Sequence, residues 1–554
     1  MITASQAVSV VAILGAALTS GWLLAPYVVR VYSNGSSRFD RYLDPLESRV
    51  YRLLGTDPKK GMGWKQYFFA ALALNFIQMF LAFLILSYQN LLPLNPQHFS
   101  GMSWDLALNT VVSFATNTNL QHYAGEVTLS YFSQMSAIQF LQFTSAATGI
   151  CAMVAMVRGI RAGSSDMGNF YVDFVRTLTR ILLPLCFLAA IAFVALGTPQ
   201  TLGGYVPVTT VEGATQTLLV GPVASLVSIM QLGTNGGGYY GANSAYPFQN
   251  PSPATDIFQI YLMLLLPTTL VFVFGGLVGR KRETRPILIA TYGLFVIDLI
   301  IAFIPPLTLG PGIETRFGGF FSTFWTVVTT AVTTGSVNAS LAGINPLAIL
   351  SAFMGMLIQA TPGGKGVGVM YMVMYIVITV FIVGLMSGRT PEYMGMKITA
   401  RDVKLVMVAF LVHPVIILLP TLAAYASNAV NAIPGFGSLP PSVGLTQVLY
   451  EFTTAAANNG SDFLGASANT PFFNLSTAAV ILAGRFAPIG ILLALAGSMI
   501  GRKRSTEVSL RTDSLTFSIV LIGSVLVLVV LTFFPFLVLG PILTYFQGMV
   551  NFLG

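Results

Sequence analysis

Ten stretches of this chain are apolar for long enough to cross a bilayer, and no other feature limits its fold as much. They cover 4–30, 66–88, 132–157, 174–196, 257–279, 286–305, 367–387, 403–427, 474–500 and 515–548. A helix needs about 20 apolar residues to span the hydrocarbon layer. Inside that layer the backbone must satisfy its own hydrogen bonds, so helices are the expected element. Only 8% of the 554 residues are charged, where a soluble domain carries about 25%, and the mean hydropathy is +0.77. The expected fold is an all-α polytopic membrane protein. A further apolar stretch, 345–360, runs into "ATPGGKGVG", Ala360 to Gly368. One proline and four glycines cannot continue a regular helix, so 345–387 reads as one broken span. The first apolar run is too long, and too poor in basic residues ahead of it, to read as a cleavable signal. Cys151 and Cys186 lie inside apolar runs and read as core filler rather than a disulfide.

Basic residues set the expected orientation. Of 27 Lys and Arg, 24 fall in the clusters 30–65, 158–180, 280–285, 389–404 and 502–511. The positive-inside rule puts all five in the cytoplasm, so both termini are expected outside. The net charge of +8 is accounted for by topology and anionic headgroups, without a nucleic-acid partner.

The remaining segments, about 89–131, 197–256, 306–344 and 428–473, are long and external on this reading. Each holds a short, mostly uncharged stretch of helical length that ends in a Thr/Asn/Gly/Ser cluster. The four are "LNTVVSFATNTN" (Leu108 to Asn119), "ASLVSIMQLGTNGG" (Ala224 to Gly237), "TFWTVVTTAVTTGSV" (Thr323 to Val337) and "TQVLYEFTTAAANNGS" (Thr446 to Ser461). One such cluster alone is an ordinary surface turn. Four at matching points of an internal repeat are not. Each is expected to enter the membrane as a short helix and return as extended chain. Such backbone is tolerated at membrane depth only where protein buries it or it lines a polar cavity. Rings of backbone carbonyls then replace the hydration shell of a desolvated monovalent cation. Glycine permits the required φ values, and the helix C-termini aim partial negative charge at the same point. The expected ring residues are Thr116, Asn117, Thr118 and Asn119; Thr234, Asn235, Gly236 and Gly237; Thr333, Thr334, Gly335 and Ser336; and Asn458, Asn459 and Gly460.

Charged residues near these loops are few. Asp105, Glu126, Glu212, Glu314, Glu451 and Asp462 fall on the external side, either as a funnel that concentrates cations or as a solvated face. Asp462 follows the fourth loop directly and, with Gln121, is a vestibule candidate. Arg485 lies near the middle of span 474–500. Below a filter it would discourage straight conduction. The structural alternative is a salt bridge with Asp298. Lys365, in the glycine-rich break, is a candidate gate or counter-charge. His98, His122 and His413 show no metal-ligand spacing. The chain has no Asp-Lys-Thr-Gly motif and no GxxxxGK[ST] loop, and no cytoplasmic segment is long enough for a nucleotide domain. An ATP site is therefore not expected in this chain.

These motifs closely resemble the potassium-binding A chain of the Kdp-type potassium-transporting ATPase, from the first span to the last. The most specific are "TNTNLQHYAGE", "GTNGGGYYGANSAYPFQNP", "GLMSGRTPEYMGMKI", "NNGSDF" and "LAGRFAP". The resemblance implies four pseudo-repeated helix–pore-loop–helix units around a central selectivity filter, similar to potassium channels and Trk/Ktr transporters, plus one extra helix at each end. The expected units are 1–62 with the first helix and a linker, four repeats at 63–157, 158–279, 280–388 and 389–501, and a last helix in 502–554. The family chain binds K+ from outside in a bacterial inner membrane. It passes the ion to a P-type ATPase B chain, with a single-span C chain and a small F peptide as further partners. On this basis the chain is the non-hydrolysing subunit of a potassium-transporting ATPase, with K+ as the transported ion. A freestanding potassium channel or secondary transporter of the same architecture is the alternative. The sequence departs from the family at Ile358 to Gly368, which lacks a common Gly-Glu pair, and at Thr334, where some relatives have cysteine.

Overall fold

The computed structural model describes residues 3–33, 40–161, 163–304, 311–364, 366–502 and 511–553, with side chains to 548. Among the described residues, ten helices are long and apolar enough to span a membrane: Ala4–Tyr32, Trp64–Ser87, Tyr131–Ile160, Phe170–Ala195, Pro253–Val278, Lys281–Ala302, Val367–Ser387, Ala400–Ala426, Pro471–Met499 and Leu515–Gly548. Among the shorter helices between them, four lead into the polar loops, Trp104–Ala115, Val223–Leu232, Gly318–Ala331 and Pro441–Ala456. Each begins a little upstream of the corresponding sequence stretch.

Burial sorts the spans into two shells. In the third, fifth, seventh and ninth spans, 67–89% of the most apolar window is buried, against 33–44% in the second, fourth, sixth and eighth. Each short helix is therefore preceded by an outer span and followed by an inner one, and this order occurs four times. The first and tenth spans, 17% and 33% buried, are peripheral. The first packs on the fifth through small residues. A side chain at Gly21 would crowd Thr268 and Thr269, and one at Gly276 would crowd Val29. Close backbone approach of this kind is a common way for helices to associate in lipid.

The third unit's inner span is broken as expected. Helix Pro346–Ile358 ends at Gln359 with φ +53°, and Val367–Ser387 follows. The two cysteines are free and buried. Two small antiparallel hairpins, Val206–Thr209 with Thr215–Leu218 and Glu392–Tyr393 with Met396–Lys397, interrupt the helices. The all-α expectation did not include them.

Candidate functional site

Each short helix ends in the same way. The peptide N–H five residues past a helical carbonyl turns back to bond it: Thr118 to Ser113, Asn235 to Met230, Thr334 to Thr329 and Asn459 to Thr454, at 2.7–2.9 Å. The chain then takes positive φ at alternate residues. The pairs are Asn117 and Asn119 at +64° and +57°, Thr234 and Gly236 at +46° and +99°, Thr333 and Gly335 at +46° and +89°, and Asn458 and Gly460 at +50° and +101°. Four different sequences thus share one backbone trace. The cost of the left-handed conformation is low for glycine and modest for asparagine.

The four loops close into a ring. A Cβ on Gly236 would overlap the Thr334 carbonyl oxygen, one on Gly335 that of Asn459, and one on Gly460 that of Thr118. At the remaining corner stands Asn119, whose Nδ2 donates to the Asn235 carbonyl at 2.7 Å. Loop one therefore meets two, two meets three, three meets four, and four meets one. Most of the asparagine amides are committed to holding this ring. Asn117 Nδ2 donates to the Thr234 carbonyl at 2.7 Å, Asn458 Nδ2 to Thr118 Oγ1 at 2.9 Å, and Asn459 Nδ2 to the Thr329 carbonyl at 2.9 Å. Oxygens remain uncommitted: Asn119 Oδ1, Thr234 Oγ1, Asn235 Oδ1 and Thr334 Oγ1 are buried without a hydrogen-bond partner. Thr116, Gly237 and Ser336 flank the ring. Thr116 Oγ1 bonds back to the Val112 carbonyl, Gly237 is held by Gln142, and Ser336 by Gln231 and Trp325.

A cavity of about 250 Å³ opens on one side of the ring, lined among others by Asn119, Gln121, Glu126, Gly460 and Asp462. Gln121 ties loop one to loop two by exchanging hydrogen bonds with Gly238. Burial, then the charge of Glu451, raises the Asp462 carboxyl above the ordinary range. Of the six acids singled out in the sequence, Glu126 and Asp462 line this mouth. Asp105 accepts from Asn474, Glu314 pairs with Arg316, and Glu212 is exposed beside the hairpin. Glu451 is buried against His122 at 3.0 Å. Spacing along the chain could not reveal this pair, because its members stand 329 residues apart.

A smaller cavity on the other side is lined by Thr333, Gln359, Gly364, Gly368, Asn458 and Arg485. The glycine-rich break reaches this point because Gly364 backs onto the Thr333 hydroxyl with no room for a side chain. Arg485 is buried in the ninth span, and its Nη2 donates to the Ser145 carbonyl at 2.9 Å. The salt bridge considered with Asp298 does not form. Both Asp298 carboxyl oxygens are buried without a hydrogen-bond partner, and its backbone carbonyl is held by Ser351. Lys365 lies outside the described residues. Among the described residues no group of three or more His, Cys, Asp and Glu could hold a metal ion.

Four helix–loop–helix units closing four short loops into one buried ring define a pore-loop membrane transporter fold. The chain belongs to the Potassium-transporting ATPase A subunit family, which it matches over residues 11–546. It is similar to the potassium-transporting ATPase potassium-binding subunit of Alicyclobacillus acidocaldarius, 43% identical over 558 residues and 98% of this chain and 99% of that one. The protein of the same name from Gloeobacter violaceus is 42% identical over 95% of each chain. In fold it resembles the potassium transporter TrkH from Vibrio parahaemolyticus, with a TM-score of 0.52, 16% identity, and 89% of this chain and 98% of that one covered.

Proposed function

We propose that the four-loop ring binds K+ through its backbone carbonyls, and that this chain is the ion-binding subunit of an ATP-driven uptake complex. The closed ring with alternating positive φ carries the reading. Alternation of this kind turns successive carbonyls of one strand toward the same side, and stacked carbonyl rings take the place of a hydration shell. The ring itself holds no carboxylate, which suits a monovalent ion better than Ca2+ or Mg2+. The mouth with Glu126 and Asp462 is the external entrance on this reading, both termini are external, and the membrane is the bacterial inner membrane. Hydrolysis then belongs to a partner P-type ATPase chain, with the C chain and F peptide completing the complex. Arg485 beneath the ring favours this over a freestanding channel, since a fixed cation there opposes straight conduction.

Ligand binding to the native state raises its melting temperature. The purified chain is therefore expected to melt at progressively higher temperature as K+ replaces choline at constant ionic strength, with a smaller response to Na+. Equal responses to K+, Na+ and choline would refute a selective ring.

A further inference from the structure

The helix Asp40–Leu53 is separate from the ten spans and plays no part in the function above. Its inner face docks on the fourth span. Arg180 of the fourth span takes Asp40, Asp44 and Glu47 at 2.6, 2.6 and 2.7 Å, and Tyr51 packs on Val172 and Val175. These are all the acids of the helix, and all three are held by a cation of the protein. The opposite face carries Tyr42, Leu46 and Leu53, which are 75, 51 and 88% exposed. With Arg49 they form one stripe at helical spacing. Arg41, Arg49 and Arg52 are exposed, and none joins an ion pair among the described residues.

The level of this helix follows from its neighbours. Near the basic end of the first span, Tyr27 and Tyr32 bond the Arg180 carbonyl at 2.9 Å and the Thr177 hydroxyl at 2.6 Å. The segment that carries Asp40–Leu53, residues 172–180, is thus level with the point where the first span leaves the apolar layer. An apolar stripe flanked by arginines at that height matches an amphipathic helix lying in the headgroup region.

We propose that Asp40–Leu53 is an interfacial anchor. Tyr42, Leu46 and Leu53 insert into the leaflet on the basic side, and Arg41, Arg49 and Arg52 bind anionic phospholipid headgroups. The proposed orientation enters only in naming that leaflet cytoplasmic. Arg180 acts as the clasp. By pairing with every acid of the helix, Glu47 buried and Asp44 still 63% exposed, it neutralises them and leaves the free charges of the helix cationic.

The test uses the full chain with a single exposed cysteine at Leu46→Cys or Leu53→Cys, carrying an environment-sensitive fluorophore; the native cysteines are buried. The chain is reconstituted in phosphatidylcholine vesicles with rising fractions of phosphatidylglycerol. Emission is expected to shift to the blue and to be quenched by lipids with a nitroxide near the headgroup. The triple variant R41Q/R49Q/R52Q is expected to need about threefold more phosphatidylglycerol for the half-maximal shift, with its K+-dependent melting response intact. Water-like, unquenched emission at every lipid composition would overturn the proposal. So would a shielded probe that nitroxide lipids do not quench, which would mean that a protein surface covers the face. Loss of the K+ response in the unmodified chain would instead count against the ring, leaving the anchor standing.

Discussion

Single residues carry the ring's geometry, and Gly236 shows how. It has φ +99° and faces the Thr334 carbonyl oxygen with no room for a Cβ. Gly236→Ala is therefore expected to lower K+ affinity by about tenfold or more and to loosen discrimination against Rb+ and Na+ in uptake assays. Gly213→Ala is the control. Its φ is +81°, but no atom lies within 4 Å, so it should bear the strain and leave affinity alone. His122 offers a second test. Asn474 Nδ2 donates to Asp105 Oδ2 and Asn469 Oδ1, so its Oδ1 faces His122 Nδ1 at 2.7 Å and that nitrogen carries a hydrogen. His122 Nε2 lies 3.0 Å from Glu451 Oε1. Burial opposes the charged imidazole, yet Glu451 outweighs it and raises the His122 pKa. A raised histidine pKa contributes stability that is complete below the unfolded value of about 6.5 and is lost as pH rises through the folded one. The melting temperature is expected to fall as pH rises above that region, and His122→Gln should flatten this slope. An unchanged slope in the variant would place the titration elsewhere.

At the scale of elements, the inner spans differ from the outer ones in what they bury. The ninth span carries Arg485 at its middle and ties it to the third span through the Ser145 carbonyl. Because Asp298 is not its partner, removing the guanidinium leaves no newly orphaned carboxylate. Arg485→Gln is expected to raise passive K+ flux in proteoliposomes by about tenfold or more, as the loss of ~1.4 kcal/mol from a barrier requires. Arg485→Lys should be milder, because the charge remains. Tight vesicles with Arg485→Gln would show that the arginine is only structural. The seventh span shows the opposite device. Where the ninth inserts a charge, the seventh breaks, with positive φ at Gln359, Gly363 and Gly366, and brings bare backbone to the foot of the ring.

For the whole molecule, the proposed role leaves nucleotide chemistry to a partner chain. The purified chain is expected to show no K+-stimulated ATP hydrolysis, and co-expression with a P-type ATPase chain should confer it. Hydrolysis by the chain alone, after contaminating ATPases are removed, would contradict the assignment.

What the sequence by itself determined is what the bilayer demands. Span number, the broken third-unit span and the recurrence of polar clusters follow from apolar run length and from proline and glycine, which act locally. Glycines 236, 335 and 460 were visible as loop residues, but which carbonyl each meets was not. Tertiary structure alone decided that Asn119 completes the ring by a side-chain bond, that Asn117, Asn458 and Asn459 use their amides as struts, and that Glu451 belongs to His122 rather than to a funnel. It also separated Arg485 from Asp298. Each of these depends on which helix faces which across a buried seam, and on hydrogen bonds between residues more than a hundred positions apart. No periodicity along a chain encodes such pairings. They are selected when the spans pack, because a buried polar atom without a partner is costly.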